Sequence, residues 1–412
     1  MIGHQSPRPL LLSPARVTFV CALICLWTAA AYGQDKRRTG WDYAGFPLVN
    51  FTTDRGVGYG AYLASFYHGD HGAGDHPYKA SIGGQFYQTT GGYAFHKLLL
   101  DFPNIADTGV RLDVASGYET WDSAWYFGLG NRTPRLEPDE TPERYYQFDL
   151  KSIWVVPNVR VPIGGDWSIF SGLVLRSADV GVYADTLLAA DDPHGTEGGF
   201  LSQVQLGILI DTRDREPSTT KGLFSELSLR GAHGITGSDF ALWGANATHR
   251  QWLPLLGDEK LVLAIRGGLD LHTGDVPFFH QHILGGSQWV ELGGNLMLRG
   301  LPNGRHRGNV TAYTNAELRW LFSEFAAMGA DFDLLMVPFF DLGRVWLWGE
   351  ADDAFHLHGS AGVGFRLVYN EVFVVRLDVA SAIEEYARSA TQQAVDRRRA
   401  VLGIYAIVNH PF

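Results

Sequence analysis

The chain has 412 residues, and its 49 glycines and 53 aromatic residues suit one large β-barrel better than several ordinary domains. Hydrophobic residues make up 46% and charged residues 19% of the sequence, which excludes a disordered chain. The formal net charge of −11 argues against non-specific binding to nucleic acid. Both cysteines, Cys21 and Cys25, lie near the N-terminus. A chain cut after them has no thiol for disulfides, zinc binding or nucleophilic catalysis.

The first 33 residues have the pattern of a secretory signal peptide. Arg8 and Arg16 form a basic start, and residues 17–31 form an apolar core that is short for a spanning helix. Ala31-Tyr32-Gly33 offers small residues at the two positions that a signal peptidase reads. We therefore expect an exported protein that reaches the bacterial outer membrane. The expected parts are a signal peptide (1–33), a short periplasmic lead (34–45) and an outer-membrane barrel (46–412).

Most of the remaining sequence alternates between apolar and polar residues with period two. In residues 310–322, Ala312, Leu318 and Trp320 share one face, while Glu317 and Arg319 share the other. Such segments often reach ten residues, whereas strands of soluble proteins are usually shorter. An apolar face toward lipid and a charged interior are typical of a transmembrane β-barrel. The alternative is a soluble sandwich, in which the apolar faces would point inward.

The periodic segments predict one all-β, antiparallel transmembrane barrel of about 16 strands. Short connections alternate roughly with long ones, as periplasmic turns alternate with external loops in such barrels. The last segment alternates up to Phe412, an aromatic end that is typical of outer-membrane barrels, although Pro411 lacks an N–H group. The predicted strands start near Phe46, Val57, Tyr78, Tyr93, Val110, Arg144, Trp167, Leu201, Leu223, Asp239, Lys260, Val310, Asp331, Gly359, Val372 and Arg399.

One connection, residues 273–309, is far too long for a simple hairpin. It contains Leu284-Gly285-Gly286-Ser287 and Leu298-Arg299-Gly300-Leu301, and Phe339-Phe340-Asp341-Leu342-Gly343 follows in a later strand. This arrangement resembles the BamA/TamA superfamily of outer-membrane assembly and secretion barrels, also called the bacterial surface antigen family. Two further stretches are similar to a turn and an early external loop of that family: Asp211-Thr212-Arg213-Asp214, with Pro217 and Gly222 after it, and Trp125-Tyr126-Phe127-Gly128-Leu129-Gly130-Asn131.

The resemblance implies that residues 273–309 fold into the lumen between strands eleven and twelve. It also implies a lock in which Arg299 and Gly300 at the loop tip meet Asp341 and Gly343 of a following strand. Leu301 departs from the family, which usually has an aromatic residue there. The lumen charges that would extend this network are Glu317 and Arg319. The alternative for each charge is a solvated group that lines a pore.

The resemblance covers the barrel but not the POTRA domains that precede it in assembly and secretion members. Only about a dozen residues separate Gly33 from the predicted strand near Phe46, which is too few for such a domain. We therefore expect a monomeric barrel in outer-membrane lipid. Periplasmic accessory proteins and a client polypeptide or lipid are the expected partners, and nucleic acid is not.

No sequence pattern for covalent chemistry stands out. His358-Gly359-Ser360-Ala361-Gly362 lacks the first glycine of a nucleophile elbow. We expect no enzyme, no cofactor and no metal. One cluster has metal-binding residue types, but the glycines within it favour a polar connection: His68, Asp70, His71, Asp75 and His76.

Three functions remain open on the sequence alone. The first is an assembly-type barrel that helps insert or transfer protein or lipid, through its lumen and the seam between its first and last strands. The second is a passive or gated channel whose lumen loop sets conductance. The third, a barrel-embedded hydrolase, has the least support.

Overall fold

The computed structural model describes the part of the chain beyond residue 38, with several gaps. The predicted signal peptide and Phe412 lie outside the described residues, as do His71, Asp75 and His76. All structural statements below concern the following ranges: 39–52, 55–70, 78–216, 218–257, 259–288, 290–327, 330–349, 356–369, 373–388, 395 and 397–408.

Sixteen long strands run through the described ranges, which confirms the predicted all-β fold of about 16 antiparallel strands. No helix in these ranges is long and apolar enough to cross a membrane. The strands are β1 (Trp41–Thr52), β2 (Gly56–Tyr67), β3 (Ala80–Thr89), β4 (Tyr93–Phe102), β5 (Arg111–Trp125), β6 (Gln147–Gly164), β7 (Trp167–Gly181), β8 (Gly199–Asp211), β9 (Gly222–Ala232), β10 (Leu242–Pro254), β11 (Leu261–Gly274), β12 (Val310–Ala327), β13 (Ala330–Trp346), β14 (His358–Tyr369), β15 (Phe373–Ala387) and β16 (Arg397–Val408).

Each strand pairs antiparallel with the strand that follows it in sequence. This simple meander runs from β1 and β2, where Trp41 faces Tyr67, to β15 and β16, where Tyr386 faces Arg397. The first and last strands lie side by side, with Cα atoms within 8 Å of each other. The sheet therefore curls round until its two edges meet, as in a barrel.

The side chains of the barrel are arranged the opposite way from those of a soluble protein. On β12, Glu317 is completely buried and Arg319 is nearly so, while Trp320 is 46% exposed on the outer face. Leu227 on β9 and Leu206 on β8 are likewise exposed on the outer face. Charges inside and apolar groups outside are the arrangement of a barrel surrounded by lipid.

The first strand begins earlier than the sequence predicted. β1 starts at Trp41 rather than near Phe46, so the predicted lead of residues 34–45 overlaps the barrel. Trp41, Tyr43 and Val49 all point outward, but Gly45 and Pro47 occupy the outward positions between them. These two residues interrupt the apolar alternation, which is why the sequence pattern was weak there.

The longest connections lie at one end of the barrel, which we call the loop end. They comprise residues 126–146, 182–198 and 275–309, whereas the opposite end, the turn end, has mostly short connections. The connections from β2 to β3 and from β8 to β9 depart from this asymmetry, because they join their strands at the turn end and are longer than the other connections there. We call residues 275–309, between β11 and β12, the inner loop.

Candidate lumen site

The inner loop lies against inward-facing side chains from many strands. Its first part packs aromatic rings, since Phe278 lies edge-on to Tyr126 and to Phe148 with ring centroids 5.5 and 5.1 Å apart. Its later part buries Met297 and Leu298 in a separate apolar cluster with Tyr313, Val345 and Ala382 of the barrel wall. The described part of the loop therefore packs against the inner face of the sheet.

Arg299 of the inner loop is surrounded by three carboxylates. Its Nε and Nη2 donate to the two carboxylate oxygens of Asp341, at 2.8 and 2.7 Å. Its Nη1 donates to Glu317 at 2.8 Å and lies 3.4 Å from Asp378. The guanidinium carbon also lies 3.4 Å from the centroid of the Phe339 ring. The bidentate geometry toward Asp341 is the strong form of an arginine–carboxylate pair.

The environment of Arg299 keeps its guanidinium charged. Burial alone would lower the pKa of Arg299, but the hydrogen bonds to Asp341 and the charges of Glu317, Asp341 and Asp378 raise it above its ordinary value. All four side chains are completely buried. Removing one partner from such a group leaves an uncompensated buried charge, which typically costs about 3–5 kcal/mol.

The residues next to Arg299 fix the loop tip against the last strands. Gly300 has a φ of +105°, and its N–H donates to the Tyr405 hydroxyl of β16 at 3.0 Å. A Cβ on Gly300 would lie 3.1 Å from the Ala382 Cβ, so a larger residue does not fit easily. Leu301, where the family usually has an aromatic residue, is buried in the apolar cluster of Leu298.

Gly343 of β13 provides the space that the loop tip needs. A Cβ on Gly343 would meet the Leu298 side chain at 3.0 Å. On the neighbouring strand, Arg319 donates to Glu317 at 3.0 Å and so joins the charges around Arg299. The structure thus brings together Arg299, Gly300, Leu301, Glu317, Arg319, Asp341 and Gly343, whereas Phe412 lies outside the described residues.

Three charged residues of this site were not singled out from the sequence. Asp378 and Arg376 of β15 and Arg366 of β14 face the same interior, and Arg366 donates to Asp378. Arg376 and Asp378 stand two positions apart in their strand, so period two puts them on one face. That signal marks a lumen-facing charge, but it does not identify the partner.

A second ionic contact holds the inner loop to β15. Arg305 donates to the Glu384 carboxylate through Nε and Nη2, with the shortest distance 2.6 Å. It also donates to the hydroxyl and carbonyl oxygens of Thr133, at 2.8 and 2.7 Å. Thr133 belongs to the long connection of residues 126–146, so one arginine joins that connection, the inner loop and β15.

The glycine-rich segment of the inner loop is held by two further carboxylates. The Gly285 N–H donates to Asp270 of β11 at 2.7 Å, and Asp270 also binds Arg230 of β9 in a bidentate pair. The backbone N–H and the hydroxyl of Ser287 both donate to Glu226, at 3.0 and 2.6 Å. These contacts attach the loop to β9 and β11.

The connection of residues 126–146 crosses the loop end and reaches the last two strands. Arg135–Leu136 forms a short parallel pairing with Tyr386 and Ala387 of β15. The Glu137 carboxylate accepts a hydrogen bond from Arg399 of β16 at 2.6 Å and lies 3.8 Å from Arg397. The connection therefore braces the loop end of β16.

The turn between β8 and β9, which is similar to the corresponding turn of the family, is held by hydrogen bonds. Asp214 accepts from the Thr220 hydroxyl at 2.6 Å and from the backbone N–H of Thr220 at 3.0 Å and of Lys221 at 3.2 Å. Partial burial would raise the pKa of Asp214, but these hydrogen bonds lower it below the ordinary value. Asp211 forms an ion pair with Arg213 at 2.7 Å.

In the part of the chain that the structure describes, the Ser360 hydroxyl is not hydrogen-bonded to a histidine. The Ser360 hydroxyl donates to Asp341 at 3.4 Å, while His358 contacts the Asn131 carbonyl oxygen at 3.0 Å. Within the described ranges no group of three or more His, Cys, Asp or Glu side chains is placed to hold a metal ion.

A family model described as the Omp85 superfamily domain matches residues 78–395. Among solved structures, the chain is similar to BamA from Haemophilus ducreyi lacking POTRA domains 1–3, with a TM-score of 0.56 and 16% identity over 90% of this chain and 70% of that one. CdiB from Escherichia coli has a TM-score of 0.50 and 12% identity, over 88% and 62% of the two chains. CdiB from Acinetobacter baumannii has a TM-score of 0.47 and 14% identity, over 90% of this chain and 66% of that one. No curated protein sequence matches the chain.

Proposed function

The chain belongs to the Omp85 superfamily, and from this premise we propose that it is an outer-membrane barrel that inserts or transfers protein or lipid without covalent chemistry. Membership confirms the resemblance inferred from the sequence. Barrels of this superfamily such as BamA and CdiB are assembly and translocation factors, and the chain is not an enzyme. Its substrate and partners are part of the proposal.

The observation that carries the proposal is the buried contact of Arg299 with Asp341, Glu317 and Asp378. A general porin needs an open lumen, whereas this contact holds a long loop inside the barrel. The second contact, between Arg305 and Glu384, supports the same role, because it ties the loop to β15. We propose that the loop plugs the lumen and that both contacts act as its lock.

The seam between β1 and β16 is the proposed working edge. Strands at a sheet edge offer unpaired N–H and C=O groups to an incoming strand. Two contacts link β16 to the loops and support the proposal that the loops control whether this edge opens. The Gly300 N–H bonds to Tyr405 of β16 inside the barrel, and Glu137 braces Arg399 of β16 at the loop end. Release of both contacts would remove these restraints on the last strand, which would still be paired with β15.

The orientation of the barrel follows from the same proposal. We place the turn end in the periplasm and the loop end outside the cell, because short periplasmic turns and long external loops are usual in outer-membrane barrels. Lipid would cover the outer face that bears Leu206, Leu227 and Trp320. Client chains and accessory proteins would then approach from the turn end.

Single-channel conductance in planar bilayers tests the plug. We expect the refolded chain to show low, flickering conductance, and we expect Arg299→Ala and Asp341→Ala to raise it. A suitable control is Arg111→Ala, which removes an ion pair with Asp101 that does not involve the inner loop. Steady, large conductance that neither Arg299→Ala nor Asp341→Ala changes would identify a porin instead.

An insertion assay tests the assembly role separately from the plug. Vesicles that contain the chain would be mixed with an unfolded eight-stranded outer-membrane protein, and its folding would be followed by its heat-modifiable gel mobility. We expect faster folding than in empty vesicles. Equal rates in both kinds of vesicle would contradict the assembly role while leaving the conductance result unaffected.

A further inference from the structure

Four arginines meet in the lumen beside the tip of the inner loop. They are Arg299 from the loop, Arg319 from β12, Arg366 from β14 and Arg376 from β15, and all are almost completely buried. The acidic groups among them are Glu317, Asp341 and Asp378. Four positive charges therefore share three negative charges in a volume from which water is largely excluded.

The three carboxylates are taken up mainly by the first three arginines. Arg299 binds both oxygens of Asp341, and Arg319 donates to Glu317 at 3.0 Å. Arg366 donates to Asp378 and lies 3.4 Å from Glu317. A fifth cation close by, Arg266, bonds to the neutral Asn315 side chain and the Leu296 carbonyl oxygen. Among the four arginines around the three carboxylates, Arg376 is therefore the one that forms no hydrogen bond to a carboxylate of the described residues.

Arg376 has no hydrogen bond from any nitrogen of its guanidinium group within the described residues. Its Nη1 lies 3.5 Å from Asp378, whose carboxylate is already engaged by Arg366, and the Arg376 side chain is 0% exposed. Burying a charged group without hydrogen bonds is costly, and most buried polar groups in proteins have a partner. The missing partner of Arg376 must therefore come from outside the described protein atoms.

We propose that Arg376 binds an anionic group, a phosphate or a carboxylate, inside the lumen. A guanidinium presents its donors in a planar fork that matches two oxygens of such a group. One bound anion would accept hydrogen bonds from the guanidinium nitrogens of Arg376 and would balance its positive charge. Water could accept the hydrogen bonds but would leave the charge uncompensated.

The position of the site suggests how a ligand would reach it. Arg376 lies near the turn end of β15, and its register partners are Arg366 on β14 and Ile407 on β16. The site is thus one strand away from the seam. A free ion entering from the turn end and the headgroup of a phospholipid at the seam present the same chemistry to Arg376. The site stands whether or not the chain assembles client proteins.

The test measures the thermal midpoint of the full, refolded chain in an uncharged detergent at constant ionic strength. Inorganic phosphate, acetate and a short-chain phosphatidylglycerol would each replace chloride in separate titrations. We expect at least one of them to raise the midpoint saturably, by about 2–4 °C near saturation. A response to inorganic phosphate or acetate identifies a free ion, and a response to the lipid alone identifies a headgroup.

Two variants separate this site from general salt effects. Arg376→Met should abolish the saturable response and, without the ligand, should unfold no earlier than the parent chain, because it removes an unsatisfied buried charge. Arg250→Met removes another buried lumen arginine, which stacks on Phe224, and should keep the response. A response that survives in Arg376→Met, is lost equally in Arg250→Met, or is absent with all three probes would overturn the proposal.

Discussion

Arg305 and Glu384 form a buried bidentate pair that connects the inner loop to β15, with a shortest N–O distance of 2.6 Å. This pair lies closer to the loop end than the group around Arg299 does. Arg305 also donates to Thr133, which belongs to the connection that braces β16. The inner loop is therefore fixed at two levels of the barrel. Release of the loop would require both ionic contacts to break.

A double-mutant cycle on Arg305 and Glu384 should show strong coupling. Arg305→Met or Glu384→Gln alone should lower the free energy of unfolding by about 3–5 kcal/mol, because each leaves a buried partner unpaired. The double variant should lose less than the sum of the two, since it leaves no lone charge. Urea titration of the refolded chain, monitored by tryptophan fluorescence, gives these values. Additive losses would mean that the two side chains do not interact.

Substitution of Gly300 by alanine should loosen the loop tip. Alanine at a φ of +105° is strained, and its Cβ would press on Ala382, so we expect a loss of about 1–3 kcal/mol and a higher conductance. Gly84→Ala on β3 is the matched control, because a Cβ there meets no atom within 4 Å. Equal effects of the two substitutions on conductance would contradict a special role for Gly300.

Most of the fold could be predicted because period two is a strong signal when one face is lipid and the other is charged. The predicted starts near Tyr93, Trp167 and Val310 coincide with the observed ones. The signal failed at β1, where Gly45 and Pro47 stand at outward positions. The end of β15 is also weakly marked, because residues 384–387 are polar enough to resemble a connection although the strand continues to Ala387.

The site was less predictable than the fold. Alternation shows that Asp378 and Arg376 face the lumen, but it cannot tell which charges meet across a barrel. Arg299 and Asp341 could be named together only through a family resemblance. The inner loop has no periodicity, so nothing in the sequence connected Arg305 with Glu384. The same limit applies to Glu137, whose partners on β16 lie about 260 positions away.

Stability should fall as the pH drops below the ordinary histidine pKa. His306 of the inner loop stacks on His358 with ring centroids 3.7 Å apart, and burial, with the nearby charges of His358 and Arg305, lowers the pKa of His306 well below its usual value. The unfolded chain then binds more protons than the folded chain between that lowered pKa and about 6.5. The free energy of unfolding therefore rises with pH across this window.

The variant His306→Phe isolates the contribution of this ring to the pH dependence. We expect its slope of unfolding free energy against pH, measured by urea titration from pH 5 to 7, to be lower than that of the parent chain, by at most about 1.4 kcal/mol per pH unit near pH 5 and by less near pH 7. Part of the slope should remain, because burial also lowers the pKa of His280 and His282. An unchanged slope would mean that His306 is protonated or solvated in the folded barrel.

A charge on the outer face of the barrel should be costly only where lipid covers it. Leu227 lies midway along β9 and is 56% exposed, and Leu256 in the turn between β10 and β11 is 92% exposed. In phospholipid vesicles, Leu227→Arg should lower the free energy of unfolding by about 2–4 kcal/mol, and Leu256→Arg should have almost no effect. Guanidinium titration of the vesicle-bound chain measures both. In a barrel whose outer face met water, the more exposed Leu256 and the less exposed Leu227 would both accept arginine at little cost, so a near-zero effect at Leu227 would contradict the membrane orientation.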